Sequence, residues 1–135
     1  MIGIVLVTHG QLGEEFLNTA QKIVGDIESC QWVSIDADKS MDTIIQEIEQ
    51  AVNACDCGQG VLILTDMFGG SPTTLSLSVF GKRTDLEVIS GVNLPMLLKA
   101  FNLRDKELSF LAKEVKDAGK RAIKVAGEIL NKPVR

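Results

Sequence analysis

The sequence predicts an α/β domain built on an open, mainly parallel four-stranded sheet, with helices on both faces giving three layers. Three observations carry this expectation. Short β-branched runs such as Ile2 to Val7 and Gly60 to Thr65 are apolar at consecutive positions, as strands covered on both faces are. Stretches with apolar residues at helical spacing follow each of them, and strands alternating with helices imply crossover connections and a parallel sheet. At 135 residues, the chain is long enough to bury a sizeable core as one domain, residues 1–135.

Taken in order, Ile2 to Val7 forms the first strand and runs into His9 and Gly10. Leu12, Phe16, Ala20, Ile23 and Val24 then mark a helix that Gly25 stops. Cys30 to Ile35 is brief enough to be a second strand, less deeply buried than the first. Met41, Ile44, Ile45, Ile48 and Val52 line an amphipathic helix running to about Cys55, with Ser40 as its N-cap and Asp42 in its first turn. Gly60 to Asp66 is the strongest strand and ends in a carboxylate, as the first ends in an imidazole.

Beyond it, Ser71 is placed to cap a helix starting at Pro72 and ending near Gly81. Leu86 to Ser90 reads as a fourth strand, and Asn93 caps a short helix through Phe101. Leu108, Leu111, Ala112, Val115 and Ala118 form a last stripe. Its continuation is open, because Ala122, Val125, Ala126 and Ile129 keep the helical period while Ile123 and Val125 also alternate as in a strand.

A net charge of −4 argues against a nucleic-acid surface, which needs clustered Lys and Arg. The basic segment Lys113 to Lys124 also carries Glu114 and Asp117 and reads as a solvated face. The run Ile2 to Val7 is too short to span a bilayer and no basic segment precedes it, so no membrane insertion and a cytoplasmic location are expected. Cys30, Cys55 and Cys57 are odd in number and lack metal-ligand spacing, so they are expected to be free thiols in a reducing compartment.

In a parallel sheet ligands bind beyond the carboxyl ends of the strands, which gathers His9, Asp66 and the loop after Ser90 on one edge. His9 is the chain's only histidine; a lone histidine is more often structural, but at a strand end beside Gly10 its neutral ring is an accessible nucleophile. Asp66 suits it as a carboxylate that accepts Nδ1–H and leaves Nε2 free, although an Asp after a strand equally caps a turn. Gly69, Gly70, Ser71, Pro72 and Thr73 combine close backbone approach with free helical N–H groups, a natural phosphate cradle that also reads as a plain capped helix. No Cys, His and carboxylate set is spaced for a metal, and neither GxGxxG nor a P-loop is present, so no metal and no cofactor are expected. Ser71 is a weak hydrolase nucleophile, because proline follows it and the GxSxG elbow is missing.

Three separated motifs resemble the mannose-type enzyme IIA domain of the bacterial phosphoenolpyruvate-dependent sugar phosphotransferase system. They are Val-Thr-His-Gly at 7–10, Leu-Thr-Asp-Met-Phe-Gly-Gly-Ser-Pro at 64–72, and Ile-Ser-Gly-Val-Asn-Leu-Pro-Met-Leu at 89–97, and the resemblance covers nearly the whole chain. It implies a phosphoryl carrier that takes phosphate on His9 from phospho-HPr and passes it to a IIB component for sugar uptake. Asp66 would bind the opposite ring nitrogen, Ser71 and the start of its helix, with Gly69, Gly70 and Thr73, would hold the phosphoryl group, and Thr8, Gly10, Phe68 and Asn93 would be neighbours.

The family also implies a homodimer in which a short C-terminal antiparallel strand crosses to the partner's sheet, for which the candidate is Arg121 to Ala126. Many relatives continue through an Ala/Pro-rich linker into a fused IIB domain, whereas this sequence stops at Arg135, so a separate acceptor is expected. A stand-alone regulatory IIA, sensed by another protein, and the phosphotransfer subunit of a dihydroxyacetone kinase are the alternatives.

Overall fold

The computed structural model describes residues 1–67, 71–81 and 83–135, with the side chains of 71–73 outside the description. The elements are β1 (Gly3–His9), α1 (Leu12–Val24), β2 (Cys30–Ile35), α2 (Met41–Cys55), β3 (Val61–Thr65), α3 (Ser71–Phe80), β4 (Leu86–Ser90), α4 (Leu94–Asn102), α5 (Leu108–Ala122) and α6 (Ala126–Ile129). The four strands form one sheet in the order β2-β1-β3-β4, every pairing parallel. The expected α/β layering is therefore observed.

Side chains on β1 alternate between two cores, as the period of a strand requires. Val5 and Val7 join Val33, Ile63, Ile48, Val52, Leu75 and Val79 beneath α2 and α3. Ile4 and Leu6 join Leu62, Leu64, Leu17, Leu97, Leu111 and Val115 beneath α1, α4 and α5. Both faces of β1 and β3 are dry, which is why these strands read as continuous apolar runs.

β1 ends later than its apolar run indicates, whereas β3, Val61–Thr65, is shorter than the expected Gly60 to Asp66. β1 continues through Thr8 and His9 because these residues pair with Ser34 and Ile35 of β2. Ser40 caps α2 by accepting the Thr43 N–H at 3.1 Å, and Asn93 caps α4 by accepting that of Met96 at 3.0 Å, as the sequence indicates. The expectation that the Ser71 side chain caps α3 lies outside the described residues, although the helix does begin at Ser71. The three cysteines are free, with Cys55 buried and its thiol pushed up to about 11 chiefly by that burial.

The expected C-terminal antiparallel strand is not formed within this chain. Arg121 and Ala122 close α5, and α6 begins at Ala126. Between them Ile123 and Val125 have extended backbone but pair with none of the four strands. A strand exists only through its ladder, and this segment has no ladder partner among the described residues of its own chain.

At the amino edge of the sheet Arg104 ties three segments together. Its Nε, Nη1 and Nη2 donate to the carbonyls of Ile2, Glu28 and Ser29 at 2.8, 2.7 and 2.8 Å, and its own carbonyl accepts the Ile2 N–H at 2.9 Å. The guanidinium is buried and also lies over the Phe101 ring. Arg104→Met removes these charge-assisted bonds and strands their acceptors, so we expect a loss of about 3 kcal/mol. The check is a lowered urea midpoint with an unchanged denaturant slope.

Candidate functional site

The chain runs from β1 to β2 on one side of β1 and then to β3 on the other, so the order of the sheet reverses between β1 and β3. Such a switch point opens a crevice beyond the carboxyl ends of the two strands. The β1–β3 register ends with Val7 opposite Thr65, so Asp66 is the first residue beyond the shared ladder on β3, and His9 the second on β1, after the buried Thr8. The parallel strand endings seen in the sequence thus become one site.

His9 and Asp66 meet there at close range. Asp66 Oδ2 accepts the His9 backbone N–H at 3.0 Å and stands 2.9 Å from His9 Nδ1. Asp66 Oδ1 accepts the Met67 N–H at 3.0 Å. Partial burial works to raise the Asp66 carboxyl, but the hydrogen bonds from the backbone and ring of His9 outweigh it and hold the group below its ordinary value. An ionised carboxylate only accepts hydrogen bonds, so Nδ1 carries the ring proton and donates it. Nε2 is then the free lone pair, on a side chain 51% exposed, whereas that of Asp66 is 13% exposed.

The turn that follows His9 is held from β2. The Gly10 N–H donates to the Ile35 carbonyl at 3.4 Å, and Ser34 Oγ donates to the Gly10 carbonyl. Gly10 has φ +52, a left-handed conformation that suits glycine. The buried Thr8 hydroxyl accepts the Gly13 N–H at 2.7 Å and stands in for a cap, since Gln11 makes no side-chain cap bond to α1.

Of the residues expected at the site, the structure brings His9, Asp66, Gly10 and Thr8 together. Asn93 lies beyond the carboxyl end of β4, where it caps α4 and donates through Nδ2 to the Gly119 carbonyl at 3.2 Å. Phe68, Gly69 and Gly70 fall outside the described residues, as do the side chains of Ser71 and Thr73. Sequence reasoning missed Ser34. Its signal was a hydroxyl between Val33 and Ile35 at the end of a strand.

Among the described residues no cluster of three or more His, Cys, Asp or Glu side chains is arranged to hold a metal, and no helix is long and apolar enough to cross a membrane. Fold and site define the class as a doubly wound α/β domain that presents one carboxylate-oriented imidazole at the sheet's switch point. A family model described as "PTS system fructose IIA component" (EIIA-man) matches residues 3–118. The chain belongs to this family, the mannose-type IIA components of the sugar phosphotransferase system.

Similarity to individual proteins agrees. The mannose-specific EIIAB component of Escherichia coli K12 is 34% identical over 128 residues, covering 91% of this chain and 40% of that protein. The chain thus spans about two fifths of the length of that relative. The fructose-specific EIIA component of Bacillus subtilis is 26% identical over 98% of this chain and 91% of its own length. The crystal structure of an EIIA component from Streptococcus agalactiae superposes with a TM-score of 0.86 at 26% identity, covering 95% of this chain and 99% of that one.

The depressed Asp66 carboxyl makes its contribution to stability dependent on pH. A carboxyl lowered on folding stabilises fully above its ordinary value of 3.8, and that contribution is lost as pH falls through the lower folded value. In urea titrations we expect wild type to exceed Asp66→Asn in stability at about pH 5, with the difference closing below about pH 4.

Proposed function

We propose that this chain is a phosphoryl carrier of the sugar phosphotransferase system, acting in the cytoplasm. His9 accepts phosphate from the phosphohistidine of HPr and donates it to a separate IIB component for sugar uptake. The observation that carries this reading is the 2.9 Å approach of His9 Nδ1 to Asp66 Oδ2, which leaves Nε2 as an exposed nucleophile.

In the transfer, the Nε2 lone pair forms the new N–P bond as the donor's N–P bond breaks and its electron pair returns to the donor ring. The proton stays on Nδ1, where the Asp66 carboxylate balances the positive charge the phosphorylated ring acquires. Asp66 also fixes the tautomer beforehand, so no proton need move before attack. For the phosphoryl oxygens we assign Gly69, Gly70, Ser71 and Thr73, since α3 begins at Ser71 on the strand-carboxyl side of the sheet and a helix start favours anions.

We further propose that the carrier is a homodimer in which residues 121–126 complete the sheet of a second copy. Ile123 and Val125 are 76% and 56% exposed on extended backbone. β4 is an edge strand beside a groove of about 520 Å³ whose lining includes Leu77, Val88, Ile89 and Ala112. An open edge and an unpaired extended segment are complementary needs.

Incubation with phosphoenolpyruvate, enzyme I and HPr should load acid-labile, base-stable phosphate onto the wild-type protein, and failure to label sinks the carrier reading. His9→Ala should take up none, and Asp66→Asn should slow transfer roughly 10- to 100-fold while remaining folded. Removing residues after Lys120 should convert a dimer to a monomer in sedimentation equilibrium. An unchanged mass would count against the exchanged strand.

A further inference from the structure

We propose that Ser34 is a positioning residue for the transfer at His9, an inference that rests on the carrier reading. Ser34 does not touch the imidazole. It acts on the backbone that presents the ring.

Three successive peptide groups around His9 are each anchored. The His9 N–H is held by Asp66 on the β3 side, the Gly10 N–H by the Ile35 carbonyl, and the Gly10 carbonyl by Ser34 Oγ. The last two anchors are consecutive residues at the end of β2, so the turn is fixed from one side by β2 and from the other by Asp66. Gly10 is the least restrained residue type in the chain, and at φ +52 it has no side chain to limit rotation. Its remaining anchor without Ser34 is the 3.4 Å bond to Ile35.

Rotation there reaches the ring because Asp66 Oδ2 serves two donors of one residue, the backbone N–H and Nδ1–H of His9. Both bonds hold only while backbone and ring keep one relative orientation. Freeing the Gly10 peptide therefore loosens the contact that sets the tautomer.

Ser34 is itself braced. It is buried, its carbonyl accepts from Lys39 Nζ at 3.3 Å, and Lys39 in turn pairs with Glu47 at 3.0 Å and Asp36 at 3.6 Å. A buried hydroxyl aimed at a glycine carbonyl beside the nucleophile, with its own strand end clamped by a lysine, is a support for geometry.

The test compares Ser34→Ala and Ser34→Thr with wild type by ¹⁵N NMR of the imidazole and by phosphate transfer from phospho-HPr. His9 is the only histidine, so its ring signals are unambiguous. In wild type the proton resides on Nδ1. We expect Ser34→Ala to raise the Nε2–H population and lower kcat about fivefold with KM for phospho-HPr unchanged, as loss of one neutral hydrogen bond implies. Ser34→Thr keeps the hydroxyl and should restore both.

A Ser34→Ala protein with wild-type tautomer and kcat overturns the inference while leaving the carrier reading intact. Equal impairment of Ser34→Ala and Ser34→Thr overturns it as well, because the hydroxyl is then not the acting group. Wild-type protein that takes no label overturns the carrier reading, and the inference with it.

Discussion

The site depends on the register between β1 and β3. With Val7 opposite Thr65, the last ladder pair leaves His9 and Asp66 side by side at the point where strand order reverses. A slip of one residue would exchange the two faces of a strand, so that each side chain met a core shaped for another, and the close packing of both cores resists it. The hydrophobic pattern and the chemical pairing are therefore one specification. Burial of Val5, Val7, Ile4 and Leu6 is what brings an imidazole to a carboxylate 57 residues away.

Stabilising and reactive groups are divided between the two ends of the sheet. At the amino edge Arg104 binds three carbonyls, while Arg83 binds Asp85 at 2.7 and 2.9 Å, Asp56 at 2.9 Å and Asn53 at 2.7 Å. Asp56 in turn accepts the N–H groups of Gly58 and Gly60 ahead of β3. These contacts hold the connections that enter the strands. The carboxyl edge carries the half-exposed His9 and is held mainly through backbone groups, which leaves the ring open to a partner.

Much of this was legible in the residues. Strands covered on both faces produce unbroken apolar runs, helices covered on one face produce stripes, and caps such as Ser40 and Asn93 identify themselves by chemistry. The pairing of His9 with Asp66 was legible because His9 ends one buried strand and Asp66 directly follows another. What stayed hidden was contact made across strands through backbone groups. Ser34 reaches a glycine carbonyl, and nothing in the glycine's identity announces an acceptor. Residues 121–126 were ambiguous for a related reason: a strand is defined by its neighbour, and periodicity within one segment carries no record of what lies beside it.

Gly10 shows how narrow a requirement can be. A Cβ added there would meet nothing within 4 Å, yet φ is +52. The restriction is thus one of handedness and not of room. A mirror-image alanine introduced by chemical synthesis would occupy that empty space without opposing the backbone, whereas its natural counterpart would be strained in the same open volume. The residue next to His9 is glycine because glycine takes the left-handed conformation without the strain a Cβ brings, a strain the same chain accepts at Ser29 and Asn131, both at φ +50.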